Sequence, residues 1–560
     1  MWSSPIGRPR SACTACKRQK LRCSGDRPVC KRCTRLRRNC LYSNESPSSR
    51  PPQTEPPSQP TASSLSAWPS TSLHARRPQN SRPVRNATLQ ADDVYLGISK
   101  SLVLTLVNLF FDTAYNASLL LHKPSFLESL EEGSASPHVV LSFCAWSANF
   151  YRDRHGTYSL REHDFMIEWA NRAGKLVFEN VQRCCEDNIV TFCILGLFWY
   201  TQGSWRLCYL YKGKAAERNA LLCLHIRGLT PSGEHNELQL ELQRRRLWAL
   251  YLMQCALGEP LVLLDQVVDM QQLPLPWPES DFTIGSARGR KVTLVSDYSN
   301  GGIYGELVNA FTLWSSVLSH IKNPNCSIRD SLVGIYALDD NLSQWWSKLP
   351  PGLKLEPSTM SAVPREDLSR ILLLNLIYHQ SICALHASIV PLFSWSFADD
   401  DFLAARQGSA QRAFDHACAA SELMRCALEV HSTLTPAHTF IAYAAYSGCA
   451  IQMPFLWCAN LVRRQWVIEN VQANIRVISA LAKHWKFAAL LKLHVACLYK
   501  MHQQHAATSI LEDEPKNADI HNLVNFSVNA AHARISILGF VEILRTRCRG
   551  FVNAGDESTN

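Results

Sequence analysis

The sequence has no apolar run long enough to cross a membrane, and residues 1–10 lack the apolar stretch of a secretory signal. The longest apolar candidate, residues 189–200, is interrupted by Thr191 and is shorter than the about 18 residues that a membrane helix needs. We interpret this segment as a buried core helix, and we expect no membrane contact.

Catalytic signatures are also missing. The chain has no P-loop, no glycine-rich dinucleotide fingerprint, no G-x-S-x-G and no H-E-x-x-H motif. His225 and His379 have apolar neighbours, and Trp345 and Trp346 recur at helical spacing. We interpret these four residues as core residues rather than as ligands or a ligand cage. The sequence therefore predicts that the chain is not an enzyme.

Acidic residues are almost absent from the N-terminal end. Residues 1–43 contain the single acid Asp26 against twelve Lys or Arg, whereas the remaining residues carry 45 basic and 46 acidic side chains. The net charge of +10 is thus concentrated at one end of the chain. A local basic cluster indicates a polyanionic partner, and nucleic acid is the usual one.

The 21 cysteines fall into two groups. Fifteen are scattered from residue 144 to residue 548, mostly in apolar runs, which is typical of free buried thiols in a reducing compartment. The other six follow the spacing C-x2-C-x6-C-x6-C-x2-C-x6-C, which is one unit written twice. These six candidate metal ligands are Cys13, Cys16, Cys23, Cys30, Cys33 and Cys40.

This spacing predicts a cluster of two zinc ions. A C-x2-C pair lets two thiolates reach one metal from a tight turn, and soft thiolates select zinc. Two tetrahedral ions need eight ligand positions, which six thiolates supply only if two of them bridge both ions. A disulfide knot would need a secreted chain, and a single four-cysteine site would leave two thiols unexplained. Because so short a segment cannot build a sufficient core, zinc must contribute much of its folding free energy.

The segment between Cys16 and Cys23 is basic. Its six residues, held by thiolates at both ends, suit a short helix that can enter the major groove of DNA. Basic side chains there contact phosphates and, at one or two positions, the O6 and N7 atoms of guanine. The candidate DNA-binding residues are Lys17, Arg18, Lys20 and Arg22.

At these residues the sequence resembles the fungal Zn2Cys6 (binuclear zinc cluster) transcription factors. The matching segments are residues 12–23, 26–33 and 40–42. The resemblance implies that Cys13 and Cys30 bridge the two zinc ions and that Lys20 reads a CGG triplet in double-stranded DNA. Gln19 stands where the family usually has Lys or Arg, which weakens one expected contact.

Composition divides the chain into four parts, and the predicted fold is mostly α. Residues 1–43 form a zinc cluster of two short helices, and residues 44–91 form a linker rich in Pro and Ser that we expect to be disordered. Residues 92–549 form a large all-α domain, followed by a short tail over residues 550–560. Residues 44–90 have no heptad pattern, so a monomer and a homodimer through the large domain remain alternatives.

Helical spacing is the main pattern of residues 92–549. Leu102, Leu106, Leu109 and Phe110 share one face, and the apolar residues of 338–349 recur similarly before Pro350 and Pro351 stop the helix. Residues 109–127, 213–225, 245–261 and 342–351 resemble the regulatory region of the same family, the fungal-specific transcription factor domain. We therefore expect a regulatory role, with a small-molecule effector or a coregulator as its partner.

The resemblance implies a nuclear regulator of genes that RNA polymerase II transcribes. A metabolic or secondary-metabolite gene set is the expected target, and activation is the more typical action. The alternative is a zinc-stapled adaptor whose basic end binds a protein or RNA. A preference for CGG duplexes separates the two hypotheses, because an adaptor has no base preference.

Overall fold

The structure is a computed structural model of the 560-residue chain. It describes residues 30–35, 40, 94–182, 185–213, 237–257, 270–296, 298–299, 301–323, 327–394, 402–430 and 438–504. Contacts divide the chain into two units, residues 1–87 and residues 88–560. The linker predicted over residues 44–91 and the tail predicted over residues 550–560 lie outside the described residues.

The described part of the first unit is one short helix, α1, which spans Lys31–Arg35. Its first turn is closed by the Thr34 amide, which donates to the carbonyl oxygen of Cys30 at 3.0 Å, and the Thr34 hydroxyl donates to the same oxygen at 3.2 Å. The helix therefore begins directly after Cys30 and contains Cys33, the two cysteines of the second C-x2-C pair. The predicted helix in the first half of the cluster lies outside the described residues.

The second unit opens with a β-hairpin that the sequence pattern did not predict. Strands β1 (Val94–Tyr95) and β2 (Ile98–Ser99) pair antiparallel, with Val94 opposite Ser99. Leu96 and Gly97 form the two-residue turn at φ 55° and 86°, the left-handed conformation that a tight hairpin requires. Ser99 then caps the first long helix by accepting a hydrogen bond from the Leu102 amide.

Apart from this hairpin, the described secondary structure of the second unit is helical, and the predicted fold class is confirmed. The first helices are α2 (Lys100–Thr113), α3 (Ala117–Leu120), α4 (Lys123–Glu131), α5 (Pro137–Ala148), α6 (Ser159–Glu162), α7 (Phe165–Glu179), α8 (Glu186–Thr201) and α9 (Trp205–Lys212). The middle helices are α10 (Glu237–Leu257), α11 (Glu279–Ile284), α12 (Ile303–Ile321) and α13 (Ile328–Lys348). The last helices are α14 (Arg365–Ala387), α15 (Pro391–Ser394), α16 (Leu403–Val430), α17 (Thr439–Gln452), α18 (Leu461–Ala482) and α19 (Lys486–Gln504). Short 3-10 turns lie at Pro351–Leu353, Met360–Ala362 and Met453–Trp457.

Local sequence signals explain several helix ends. Ser327 and Asn460 cap α13 and α18 by accepting hydrogen bonds from the amides of Asp330 and Arg463. The last residue of α13, Lys348, stands just before Leu349 and Pro350, where the proline pair was expected to stop the helix.

Helix α8 lies in the apolar core. Nearly all of its residues are buried, which confirms that residues 189–200 are a core helix. The longest apolar helix is, however, α14, which by length and composition alone could cross a membrane. Its most apolar window has a mean hydropathy of 1.3, and 83% of that window is buried inside the fold against neighbouring helices. Helix α14 is not an uninterrupted apolar run, because buried polar residues such as Asn375 and Gln380 lie between its apolar ones.

Candidate zinc cluster and nucleic-acid interface

Three of the six predicted zinc ligands converge in the described part of the first unit. The Sγ atoms of Cys30, Cys33 and Cys40 all lie within 4.8 Å of one another. Cys30 precedes α1 and Cys33 lies within it, so the three-residue spacing turns both thiols to one side of the helix. Cys40 closes the group from the chain that follows. Cys30 and Cys33 are buried, and Cys40 is half-buried.

This arrangement fits a zinc ion. Sulfurs that are each about 2.3 Å from a tetrahedral zinc lie about 3.8 Å apart, which is compatible with the observed convergence. Two backbone amides donate to these sulfurs, from Cys33 to Cys30 Sγ at 3.4 Å and from Cys30 to Cys40 Sγ at 3.3 Å. Such donors stabilise thiolates, which are the form that binds metal.

The remaining predicted site residues lie outside the described part of the chain. They are the metal ligands Cys13, Cys16 and Cys23 and the DNA-binding candidates Lys17, Arg18, Lys20 and Arg22. Lys31, beside Cys30, is exposed on α1. A cation beside a thiolate cluster compensates part of the negative charge that the cluster carries.

Comparisons with known proteins agree with this geometry. The family described as the fungal Zn(2)-Cys(6) binuclear cluster domain matches residues 11–49. The family described as the fungal specific transcription factor domain matches residues 107–347, and together the two matches cover half of the chain. The chain belongs to the fungal Zn(2)-Cys(6) transcription factors.

Several curated relatives carry the same family name. The Zn(2)-C6 fungal-type transcription factors FTF2 and FTF1a of Fusarium oxysporum f. sp. lycopersici are 24% and 23% identical to this chain, and each alignment covers 85% of it. An uncharacterized transcriptional regulatory protein of Schizosaccharomyces pombe, C1327.01c, is 25% identical over 55% of this chain and 34% of its own length. The chain spans about half the length of the Fusarium relatives, 52% in both alignments. No solved structure matches it.

Membership in this family confirms three predictions. The cluster domain binds two zinc ions through cysteine, the family acts in DNA-binding transcription regulation, and it is not a family of enzymes. The match to the regulatory domain begins in α2 and ends in α13. Helices α14 to α19 lie beyond the match, but their buried side chains belong to the same core.

A run of three arginines in this Zn(2)-Cys(6) protein proves to be structural. Arg245 is fully buried and forms ion pairs with Glu241 at 2.9 Å and with Glu279 at 2.6 Å. Arg246 is also buried and pairs with Glu186 at 2.6 Å. These contacts join α10 to α8 and α11, so the run cross-links the core. The pairs between helices could not be predicted from the sequence, because the partners lie 34 and 60 residues away.

Residues that the sequence assigned to packing do pack. Trp346 stacks on Tyr378 with ring centroids 4.1 Å apart, and Trp345 Nε1 donates to Glu306 at 2.9 Å. His379 Nδ1 lies 3.1 Å from His416 Nδ1, so one of these atoms donates and the other accepts. Burial lowers the pKa of His379 to about 4, which keeps it neutral near pH 7. His225 lies outside the described residues.

Buried thiols in the second unit behave as apolar residues. Burial raises the pKa of Cys193 and of Cys449 to about 12, so both remain protonated thiols near neutral pH. No group of three metal-ligating side chains occurs in the described residues of this unit. The prediction of free buried thiols is confirmed for most of its described cysteines, but Cys497 is exposed.

Proposed function

We propose that this chain is a nuclear, zinc-dependent regulator that binds CGG-containing double-stranded DNA and controls genes transcribed by RNA polymerase II. The observation that carries this proposal is the convergence of Cys30, Cys33 and Cys40 at the basic end of the chain. Two zinc ions, bridged by Cys13 and Cys30, would complete the cluster with Cys16 and Cys23.

The internal repeat extends this geometry to the first half of the cluster. A shift of 17 residues maps Cys13 onto Cys30, so residues 14–18 correspond to α1. The helix expected between Cys16 and Cys23 carries Lys17, Arg18, Lys20 and Arg22. We propose that all four contact the same stretch of DNA.

The chemistry of these side chains fits a duplex. A lysine or arginine that donates to guanine O6 and N7 makes the most common base-specific contact in the major groove. Neighbouring basic residues contact phosphates and fix the register. We assign base reading to Lys20 and phosphate contacts to Lys17, Arg18 and Arg22.

The deciding experiment measures binding of the zinc-loaded full chain to duplexes with one CGG triplet and to duplexes in which that triplet is changed. Lys20→Ala should lose about 1–3 kcal/mol of the preference for CGG, because a base contact discriminates between sequences. Lys31→Ala is the matched control, since its exposed side chain should contact only phosphate. Lys31→Ala should lower the affinity for both duplexes equally, and the affinity of this variant should depend less steeply on salt concentration.

The adaptor alternative has a different signature in the same assay. If the full chain binds both duplexes equally and Lys20→Ala changes nothing, then the basic end does not read DNA sequence. Binding that survives zinc chelation would contradict the proposed cluster as well.

Further parts of the proposal concern the helical domain. We propose a homodimer through this domain, supported by exposed apolar side chains at the start of α18, namely Leu461 and Val462 at 71% and 82% exposure. Sedimentation of the full chain and of Val462→Glu tests it, because a glutamate buried in the interface would shift a dimer to monomer.

A small-molecule effector or a coregulator would act on the same domain. Activation of a metabolic or secondary-metabolite gene set is the expected outcome, and transcript levels after deletion of the gene test its sign.

A further inference from the structure

A cleft of about 510 Å³ opens between the first turns of α10 and the segment that surrounds α11. Its volume lies in the range of sites that hold small molecules, roughly 300 to 1,000 Å³. The residues that give it chemical character are Arg244, Trp277, Arg290, Lys291 and Tyr298. We call it the arginine–aromatic cleft.

The walls of the cleft are fixed by hydrogen bonds. The Leu275 amide donates to the carbonyl oxygen of Val292 at 2.7 Å, which ties the two sides of the α11 segment together. The Arg288 amide donates to the Asp281 carboxylate at 2.9 Å, and the Tyr298 hydroxyl donates to the carbonyl oxygen of Lys291 at 3.2 Å. The cleft is therefore built before any ligand arrives, which reduces the entropy cost of binding.

Two arginine–aromatic pairs line this cleft. The guanidinium of Arg244 lies 5.9 Å from the Trp277 ring centroid, and that of Arg290 lies 5.3 Å from the Tyr298 ring centroid. Both distances are within the range of cation–π contacts. Guanidinium groups and aromatic rings in this arrangement present flat faces, on which a planar ring can stack.

The charges of the cleft are unevenly matched. Of its two acids, Asp281 is buried and accepts the Arg288 amide, and Glu237 lies in the first turn of α10, where the helix dipole stabilises a negative charge. Arg244 is paired with Glu241 at 2.9 Å. Arg290 and Lys291 have no carboxylate within 4.0 Å in the described part of the chain, and both are exposed. The cleft thus offers two cations that a ligand can neutralise.

We propose that the arginine–aromatic cleft binds a small anion that carries a planar ring, such as an aromatic carboxylate or phosphate. The anionic group pairs with Arg290 and Lys291, which supply donors in a fixed segment. The ring stacks against Tyr298 or Trp277. The binding itself does not depend on DNA recognition, whereas a role of this ligand as effector rests on the function proposed above.

The test is direct binding of 2-naphthoate and of 2-naphthyl phosphate to the full chain, measured by calorimetry without DNA. Neutral 2-naphthamide tests the need for the anion, and cyclohexanecarboxylate tests the need for the planar ring. The double variant Arg290→Gln, Lys291→Gln should weaken binding by about tenfold or more, because two charge-assisted hydrogen bonds are lost. Arg288→Gln is the control: it removes one positive charge from the same segment, but its side chain does not line the cleft.

The proposal holds if one naphthyl anion saturates at one site, the double variant weakens it, and Arg288→Gln changes the affinity by less than about twofold. The carboxylate and phosphate arms then show which anionic group the site prefers. Equal weakening by Arg288→Gln would reduce the effect to general surface charge and overturn the proposal. Absence of binding, or equal binding of 2-naphthamide, would overturn it too. Because binding is read without DNA, these outcomes are independent of the Lys20 experiment.

Discussion

The two units of this Zn(2)-Cys(6) protein are stabilised in opposite ways. In the described part of the first unit, the buried side chains are Cys30 and Cys33, and the amides around them donate to sulfur. The second unit buries large apolar side chains such as Trp248 and Trp314 and joins its helices through buried ion pairs. Cysteine has a different role in each unit: it is a metal ligand in the first and a small apolar residue in the second.

This difference explains why the structure of the first unit is easier to predict from the sequence than the packing of the second. Metal ligands must lie at short, fixed spacings along the chain, so a pattern of six cysteines specifies a chemistry. An apolar core is built from contacts between residues far apart in sequence, so periodicity predicts helices but not their neighbours. Three experiments test this contrast, beginning with the one for which we expect the largest change in stability.

Removing zinc should affect the first unit alone. Structural zinc contributes about 10–16 kcal/mol of binding free energy in small zinc-dependent domains, so chelation or Cys33→Ser should abolish the fold of that unit and DNA binding with it. The melting temperature of the helical domain should stay within about 2 °C, because its described residues hold no group of metal ligands. Calorimetry and metal analysis of the full chain measure both. An equal loss of helical melting on chelation would contradict the contrast between the units.

Breaking the buried ion pairs should destabilise the second unit alone. Arg245→Met removes the cation shared by the buried Glu241 and the half-buried Glu279 and leaves both carboxylates without that partner, which should cost about 3–5 kcal/mol in the free energy of unfolding. Arg244→Met is the matched control, because this half-buried neighbour also pairs with Glu241 but should cost about 1 kcal/mol. Urea unfolding followed by circular dichroism compares them. Similar decreases in the free energy of unfolding for both variants would show that the buried Arg245 stabilises the fold no more than the half-buried Arg244.

Much of the helical domain could be predicted from local signals. The core helix over residues 189–200 and the stop at Pro350 both follow from rules that act within one helix. The hairpin at residues 94–99 was missed because its turn has Leu96 at φ 55°, where a glycine or asparagine would have been the usual signal.

The cluster and the cleft show where sequence reasoning succeeds and ends. Spacing alone predicted that Cys30, Cys33 and Cys40 would converge, because no other part of the chain is needed to bring them together. The arginine–aromatic cleft could not be predicted, since it joins Arg244 to Tyr298 across more than 50 residues. Nothing in the sequence distinguished the basic residues at 288–291 from those of an ordinary solvent-exposed loop.

The smallest effect tests how tightly the helical core is packed. A Cβ added at Gly448 in α17 would lie 2.8 Å from Asn474 Nδ2 and 3.3 Å from Ser421 Oγ. Those two atoms are hydrogen-bonded to each other at 2.9 Å in a buried network, so Asn474 cannot move away freely. Gly448→Ala should therefore lower the free energy of unfolding by about 1–2 kcal/mol, despite the better helix propensity of alanine.

Gly408 provides the matched control for this substitution. It lies inside α16 with nothing within 4 Å of an added Cβ, so Gly408→Ala should raise stability by about 0.5–1 kcal/mol through helix propensity alone. Opposite signs for one chemical change would show that packing, and not propensity, limits the second unit. If Gly448→Ala were neutral or stabilising, the hydrogen-bonded side chains around Asn474 would have to shift to admit the methyl group with little loss of free energy. The sharp contrast with a cluster held by metal would then weaken, because the helical core would be more adaptable than its contacts indicate.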